Sequence, residues 1–134
     1  MSASATGTFE ITIHQQPPYD TADGITLGRT TIDKRFAGDL DATSTVEMLS
    51  AGTPVKGSAA YVAIERVVGT LHGRAGSFVL QHSGTMTRGE PSMLVTVVAD
   101  SGTRALTGIT GRMKIDIAGG KHSYTFDYAL DGQP

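Results

Sequence analysis

The chain has 134 residues, with 11 Lys+Arg against 13 Asp+Glu, a net charge of −2 and no cysteine. That length suits one domain spanning 1–134 that buries roughly two thirds of the surface its unfolded form exposes, and the missing thiols exclude disulfides, thiolate metal sites and a Cys nucleophile. The basic residues are scattered and aromatics are few, with no Trp, four Tyr and four Phe, so neither the electrostatic grip nor the stacking platform of a nucleic-acid binder is present.

Along the chain the dominant signal is period-two alternation interrupted by Gly-rich turns. Thr8–His14 sets Phe9, Ile11 and Ile13 against Thr8, Glu10, Thr12 and His14. After a connection holding Pro17, Pro18 and Gly24, Leu27–Phe36 sets Thr30, Ile32 and Phe36 against Arg29, Thr31 and Arg35. A tight turn at Gly38-Asp39 leads into Leu40–Leu49, and a second at 51–57 into the long strand Ala59–Leu71. Ser77–Thr87 and Ser92–Ala99 follow, and the unalternating segment 100–108 reads as a turn or one short helical turn. Ile109–Ile117 and His122–Leu130 close the chain around Gly119-Gly120, a dipeptide suited to the positive φ that primed hairpin turns require. About eight strands joined by short reversals predict an all-β, eight-stranded antiparallel up-and-down barrel, with a two-sheet sandwich as the alternative. Its interior is then either filled or just wide enough for one small ligand.

Several stretches resemble known proteins. Ser101–Gly111 is similar to the Gly-Thr-Gly-x-Phe-x-Gly-x-x-Gly turn of allene oxide cyclases and dirigent proteins, both eight-stranded barrels, although Arg104 replaces a Gly and Leu106 the Phe. Segments 36–44, 47–49, 69–84 and 121–124 resemble a bacterial family of uncharacterised proteins grouped with that barrel. The resemblance implies the fold and no activity.

The central hairpin carries the candidate chemistry. A turn centred on Gly73-Arg74 would pair His82 with Glu65, Leu80 with Val67 and Phe78 with Gly69, with Tyr61 on the same face. A carboxylate beside an imidazole on an apolar face can form a poised acid/base pair, burial raising the Glu65 pKa and the neighbouring charge keeping His82 protonated. The competing reading is an exposed cross-strand pair, and a one-residue shift of the turn is expected to part the two. The other face, with Val62, Ile64, Val68 and Val79 beside Arg66 and Gln81, is nearly as apolar, which points to cover by another copy in a homo-oligomer or by another part of the chain.

In the last hairpin His122, Tyr124, Phe126 and Tyr128 share a face with Ile117, Ile115, Met113 and Gly111, and this aromatic face should point inward. The Tyr124 and Tyr128 hydroxyls then either orient a ligand or bond to core backbone. Glu47, among Val46, Met48 and Leu49, faces solvent or lines a polar cavity, with Lys34 and Arg35 as partners. The histidines at 14, 72, 82 and 122 never fall at His-x-His or His-x-x-x-His spacing, and no phosphate loop, nucleophile elbow or dinucleotide fingerprint is present, so no metal or cofactor is expected. No apolar run approaches the ~20 residues that cross a bilayer. Met1–Gly7 lacks the basic start and apolar run of a secretory leader, and the cysteine-free composition suits a cytoplasmic protein.

The expected function is that of a barrel binding a small, hydrophobic ligand, with Glu65 and His82 as candidate catalytic groups and Tyr61, Glu47, Phe78, His122, Tyr124 and Tyr128 as candidate ligand contacts. Two alternatives are an isomerase or cyclase in the same cavity, which the resemblance to allene oxide cyclase implies, and a filled barrel acting through its outer surface.

Overall fold

The computed structural model describes residues 2–130 as a closed barrel of eight antiparallel strands, each paired with its sequence neighbours and β1 with β8. The strands are β1 (Ser2–Gln15), β2 (Thr26–Gly38), β3 (Leu40–Gly52), β4 (Ala59–Leu71), β5 (Arg74–Thr87), β6 (Glu90–Val97), β7 (Ile109–Ala118) and β8 (Lys121–Leu130). The meander expected from alternation is therefore observed, and the sandwich is not. β1 begins earlier than the alternation suggests, and β6 starts and stops two residues before Ser92–Ala99. Among the described residues no helix is long and apolar enough to cross a membrane.

The turns decide the registers. His72 and Gly73, with φ of 46° and 79°, form the two-residue link between β4 and β5, a twist that matches the flanking strands. Gly119 and Gly120 do the same between β7 and β8, both at positive φ, and give the pairing expected from the sequence, Ile117 with His122 through Gly111 with Tyr128. Arg112 and Asp127 face each other on the exposed side of that hairpin, as expected.

One half of the interior is filled. Phe36, Phe78, Phe126, Leu40, Leu71, Leu80, Leu106 and Ile109 have almost no exposed surface, and the Phe78 and Phe126 rings stack with centroids 5.5 Å apart. The segment between β6 and β7 forms a short 3-10 turn at Arg104–Leu106 and drops Leu106 into this core as a plug. The motif that suggested the fold thus has a packing role here. Thr103 and Ser101 bind it to β5, through the Ser77 and Val79 amides at 3.0 Å each.

Tyr124 fastens the same end. Its hydroxyl accepts the Leu40 amide at 2.9 Å and donates to the Ala37 carbonyl at 3.0 Å, so of its two expected roles it takes the backbone one. Gly7 makes room: a Cβ there would collide with the Ala37 carbonyl and lie 2.5 Å from the Tyr124 hydroxyl.

Outside, Val62, Ile64 and Val68 are each more than half exposed and Leu49 and Leu94 nearly so. No part of the described chain covers this strip.

Tyr124→Phe leaves the buried Leu40 amide without its acceptor and is expected to cost about 1–3 kcal/mol. Urea unfolding should show a lower midpoint with an unchanged m-value; an unchanged midpoint would remove the pinning role.

Candidate functional site

Above the filled half lies a polar layer. Alternation sends Lys34 inward from β2, Ser44 from β3, Glu65 from β4 and His82 from β5, and all four are buried. Glu65, with no exposed surface, is the hub. Its Oε1 accepts the His82 Nε2–H at 2.7 Å and lies 3.3 Å from the Lys34 ammonium, and its Oε2 accepts the Ser44 hydroxyl at 2.6 Å. Lys34 also stands 4.7 Å over the centre of the Phe9 ring, a cation–π contact that adds to its hold.

The expected register is off by two residues. Glu65 pairs with Leu80, Val67 with Phe78 and Ala63 with His82, because the turn sits at His72-Gly73 and not at Gly73-Arg74. This one-residue shift does not part the pair. Moving a two-residue turn by one position changes each partner by two, and a shift of two preserves the face. Glu65 and His82 become diagonal neighbours on the inner face.

The Glu65 pKa is also opposite to expectation. Burial pushes it up, but the hydrogen bond from His82, the Lys34 charge and the Ser44 hydroxyl together hold it below the usual carboxylate range. The carboxylate is ionised at neutral pH, so Nε2 of His82 must be the donor in their bond. Nδ1 has no partner in the protein, and no buried polar side-chain atom among the described residues is unsatisfied. Nδ1 therefore opens onto accessible space.

The end of the barrel away from the packed core is open. There the inward-directed Ile13, Met86, Met93 and Ile117 remain between 43% and 66% exposed. The wall is incomplete on one side: β6 and β7 share only the Thr96–Arg112 pair, and the β1–β8 ladder stops at Phe9–His122 while β1 continues to Gln15. A recess of about 390 Å³ borders Met48, Tyr61, Gly84, Met86 and Met93. Tyr61 lies across Gly84, where a Cβ would strike its ring, and burial pushes its hydroxyl pKa up.

The other candidate residues separate. His122 sits at the open end, its ring 5.2 Å from that of Phe9. Phe78 is a core residue away from any opening. Tyr124 is the backbone pin already described. Tyr128 lies at the filled end, its hydroxyl 2.5 Å from His72 Nδ1, with Asp39 3.6 Å from the other ring nitrogen. Glu47 points outward, half exposed, and is held by Arg29 at 3.0 Å and Thr31 at 3.3 Å rather than by Lys34 or Arg35. Lys34 belongs to the inner face and Arg35 turns to Asp41. Lys34 and Ser44 are the members of the cluster that the sequence reading missed. The available signal was Lys34's place in the alternation of Thr30, Ile32 and Phe36. Among the described residues no three His, Asp or Glu side chains converge to hold a metal ion.

A half-filled, half-open up-and-down barrel with a buried ionic layer between its halves defines the class of this protein. Residues 5–128 match the family model described as "Protein of unknown function (DUF3224)", and the chain belongs to that family. It is similar to the crystal structure of a DUF3224-family protein of unknown function from Shewanella oneidensis MR-1, with 47% identity, a TM-score of 0.92 and full coverage of both chains. No curated protein matches the chain.

Removing one partner of a buried ion pair leaves the other charge uncompensated, which costs about 3–5 kcal/mol. Glu65→Gln should destabilise by that order at pH 7 in urea titrations, and adding Lys34→Met should recover part of the loss. Because the folded Glu65 pKa is lowered, its stabilisation is present above the usual carboxylate range and is lost as pH falls through it toward the folded value. Wild-type stability should therefore drop more steeply on acidification than that of Glu65→Gln; parallel pH profiles would contradict the linkage.

Proposed function

We propose that this protein binds a small, largely apolar molecule through its open end and holds it against the Glu65–His82–Lys34 layer. One coincidence carries the reading: a buried ionic cluster lies beneath inward-directed apolar side chains left exposed. Neither is what a barrel needs for stability alone. Apolar residues of similar volume would often hold a barrel together as well as a buried ion pair, and exposed apolar side chains gathered at one mouth are the usual mark of a binding surface. Breaches of folding rules concentrated in one place point to function.

Native mass spectrometry of protein purified from its host is the test. The expected result is one small molecule per barrel, with occupancy reduced by Met93→Glu at the mouth. A barrel that emerges empty and gains no thermal stability from any of a panel of apolar compounds would contradict the reading.

A second reading, an isomerase- or cyclase-type enzyme in the same space, is favoured by the 2.7 Å Glu65–His82 contact. Glu65 would hold the imidazole in the tautomer whose Nδ1 keeps a free lone pair, the arrangement of an oriented general base. The resemblance of Ser101–Gly111 to the turn of allene oxide cyclases supports this reading, since catalysis of that kind needs only shape and one or two polar groups. Turnover on an identified substrate should vanish in Glu65→Gln and in His82→Gln; survival of turnover in both folded variants would end this reading.

A further inference from the structure

We propose that the outer face of β3–β6 is the interface of a homodimer, in which two copies bury their apolar strips against each other and each Arg66 reaches Glu47 of the partner subunit. The proposal is independent of what the open end binds, because the strip lies on the side of the barrel and leaves the mouth free.

The register builds the strip. Leu49 pairs with Val62, Glu47 with Ile64, Ile64 with Gln81 and Ser83 with Leu94, so these outward side chains stand in two adjoining rows. Val79 stands beside Arg66 and Val68 two residues beyond it. A sheet face left to solvent normally carries interspersed charge, yet β3, β4, β5 and β6 contain no lysine. The face is also not smoothly convex. A groove of about 480 Å³ runs between Leu49, Val62 and Ile64, and a second of about 400 Å³ lies beside Arg66 and Val68. The Val62 and Ile64 side chains of a facing copy thus have recesses to enter.

Charge selects a second copy over another partner. The strip and its border on β2 carry Arg29, Arg66, Asp33 and Glu47, and so no net charge. Arg66 makes no bond within the described chain. The contacts of Glu47 with Arg29 and Thr31 all fall on Oε1, which leaves Oε2 for another donor. One face therefore offers an unpaired guanidinium and a half-used carboxylate, diagonal neighbours about 7–8 Å apart. A two-fold axis lying in the interface between them sets each Arg66 on the partner's Glu47 and makes both ion pairs at once. That is the self-complementarity an isologous contact requires. A partner of one charge sign would leave one of the two groups unanswered.

Four strands by eight residues make a patch of roughly 19 by 27 Å. Two copies then bury on the order of 1,000 Å², the lower bound of a specific interface, so the dimer is expected to be concentration-dependent with a micromolar Kd.

Sedimentation equilibrium of the full chain over a range of concentrations is the test. The wild type is expected to rise from the 14.0 kDa monomer towards twice that mass. Ile64→Lys, at an exposed position, should raise the dimer Kd at least about tenfold while its far-UV circular dichroism stays that of the folded barrel. Arg66→Glu and Glu47→Arg should each weaken the dimer about tenfold through like-charge contact. The double exchange should recover most of the loss, which a merely structural role for either residue would not produce. Wild-type protein that stays monomeric up to about 1 mM would overturn the proposal; if that monomer binds zwitterionic vesicles and Ile64→Lys does not, the face belongs to a membrane surface. A dimer indifferent to Ile64→Lys would overturn the assignment to this face. One broken by Ile64→Lys but unmoved by either charge reversal would overturn the pairing of Arg66 with Glu47.

Discussion

Glu65 is a carboxylate with no exposed surface in the middle of a small barrel, and the organisation of the interior follows from what must surround it. A buried charge needs a countercharge and hydrogen bonds for its lone pairs. Three strands supply them: Lys34 from β2, Ser44 from β3 and His82 from β5. The neighbouring strands must therefore keep their registers to within a residue, since a slip of one would turn any of these side chains outward. The ionic layer also divides the barrel. Below it aromatic and aliphatic side chains fill the space, and above it the inward-directed residues are left uncovered.

The filled half makes the open half affordable. Tyr124 ties β8 to the β2–β3 turn, Leu106 plugs the floor, and stacked Phe78 and Phe126 occupy the centre. This end carries the packing on which folding depends. The other end can then keep a short β7–β8 hairpin, a single pair between β6 and β7 and a ring of exposed Ile and Met side chains. Close packing at one end and incompleteness at the other suit a scaffold whose function sits at its mouth.

Much of the architecture was legible because its signals are local. Alternation marks each strand, and Gly119-Gly120 admits one kind of turn, so the last hairpin was read pair for pair. The central hairpin was harder. His72 takes a positive φ with no glycine to announce it, which displaced the turn by one residue, yet Glu65 and His82 stayed together because face is conserved under a shift of two. For Glu47 the sequence allows either solvent or a polar cavity, because a mid-strand charge can face either way, and it names Lys34 and Arg35 as partners. The partner of Glu47 is Arg29, on the outer face of the adjacent strand.

The sequence by itself determined the strand count, the up-and-down order, and that Tyr124 and Tyr128 point inward, since period-two alternation separates the faces of a strand. For Glu65 and His82, on a hairpin nearly as apolar on one face as on the other, it left the direction open. Only the tertiary structure decided which way Glu65 and His82 face, and it alone decided depth and partnership. Tyr124 and Tyr128 differ from Glu65 and His82 not in face but in height along the barrel axis, and height is set by the stagger of strands around the closed sheet. The same stagger brings Lys34 and Ser44, 31 and 21 residues away from Glu65, onto one carboxylate. No local pattern encodes that convergence, because it exists only once the barrel has closed.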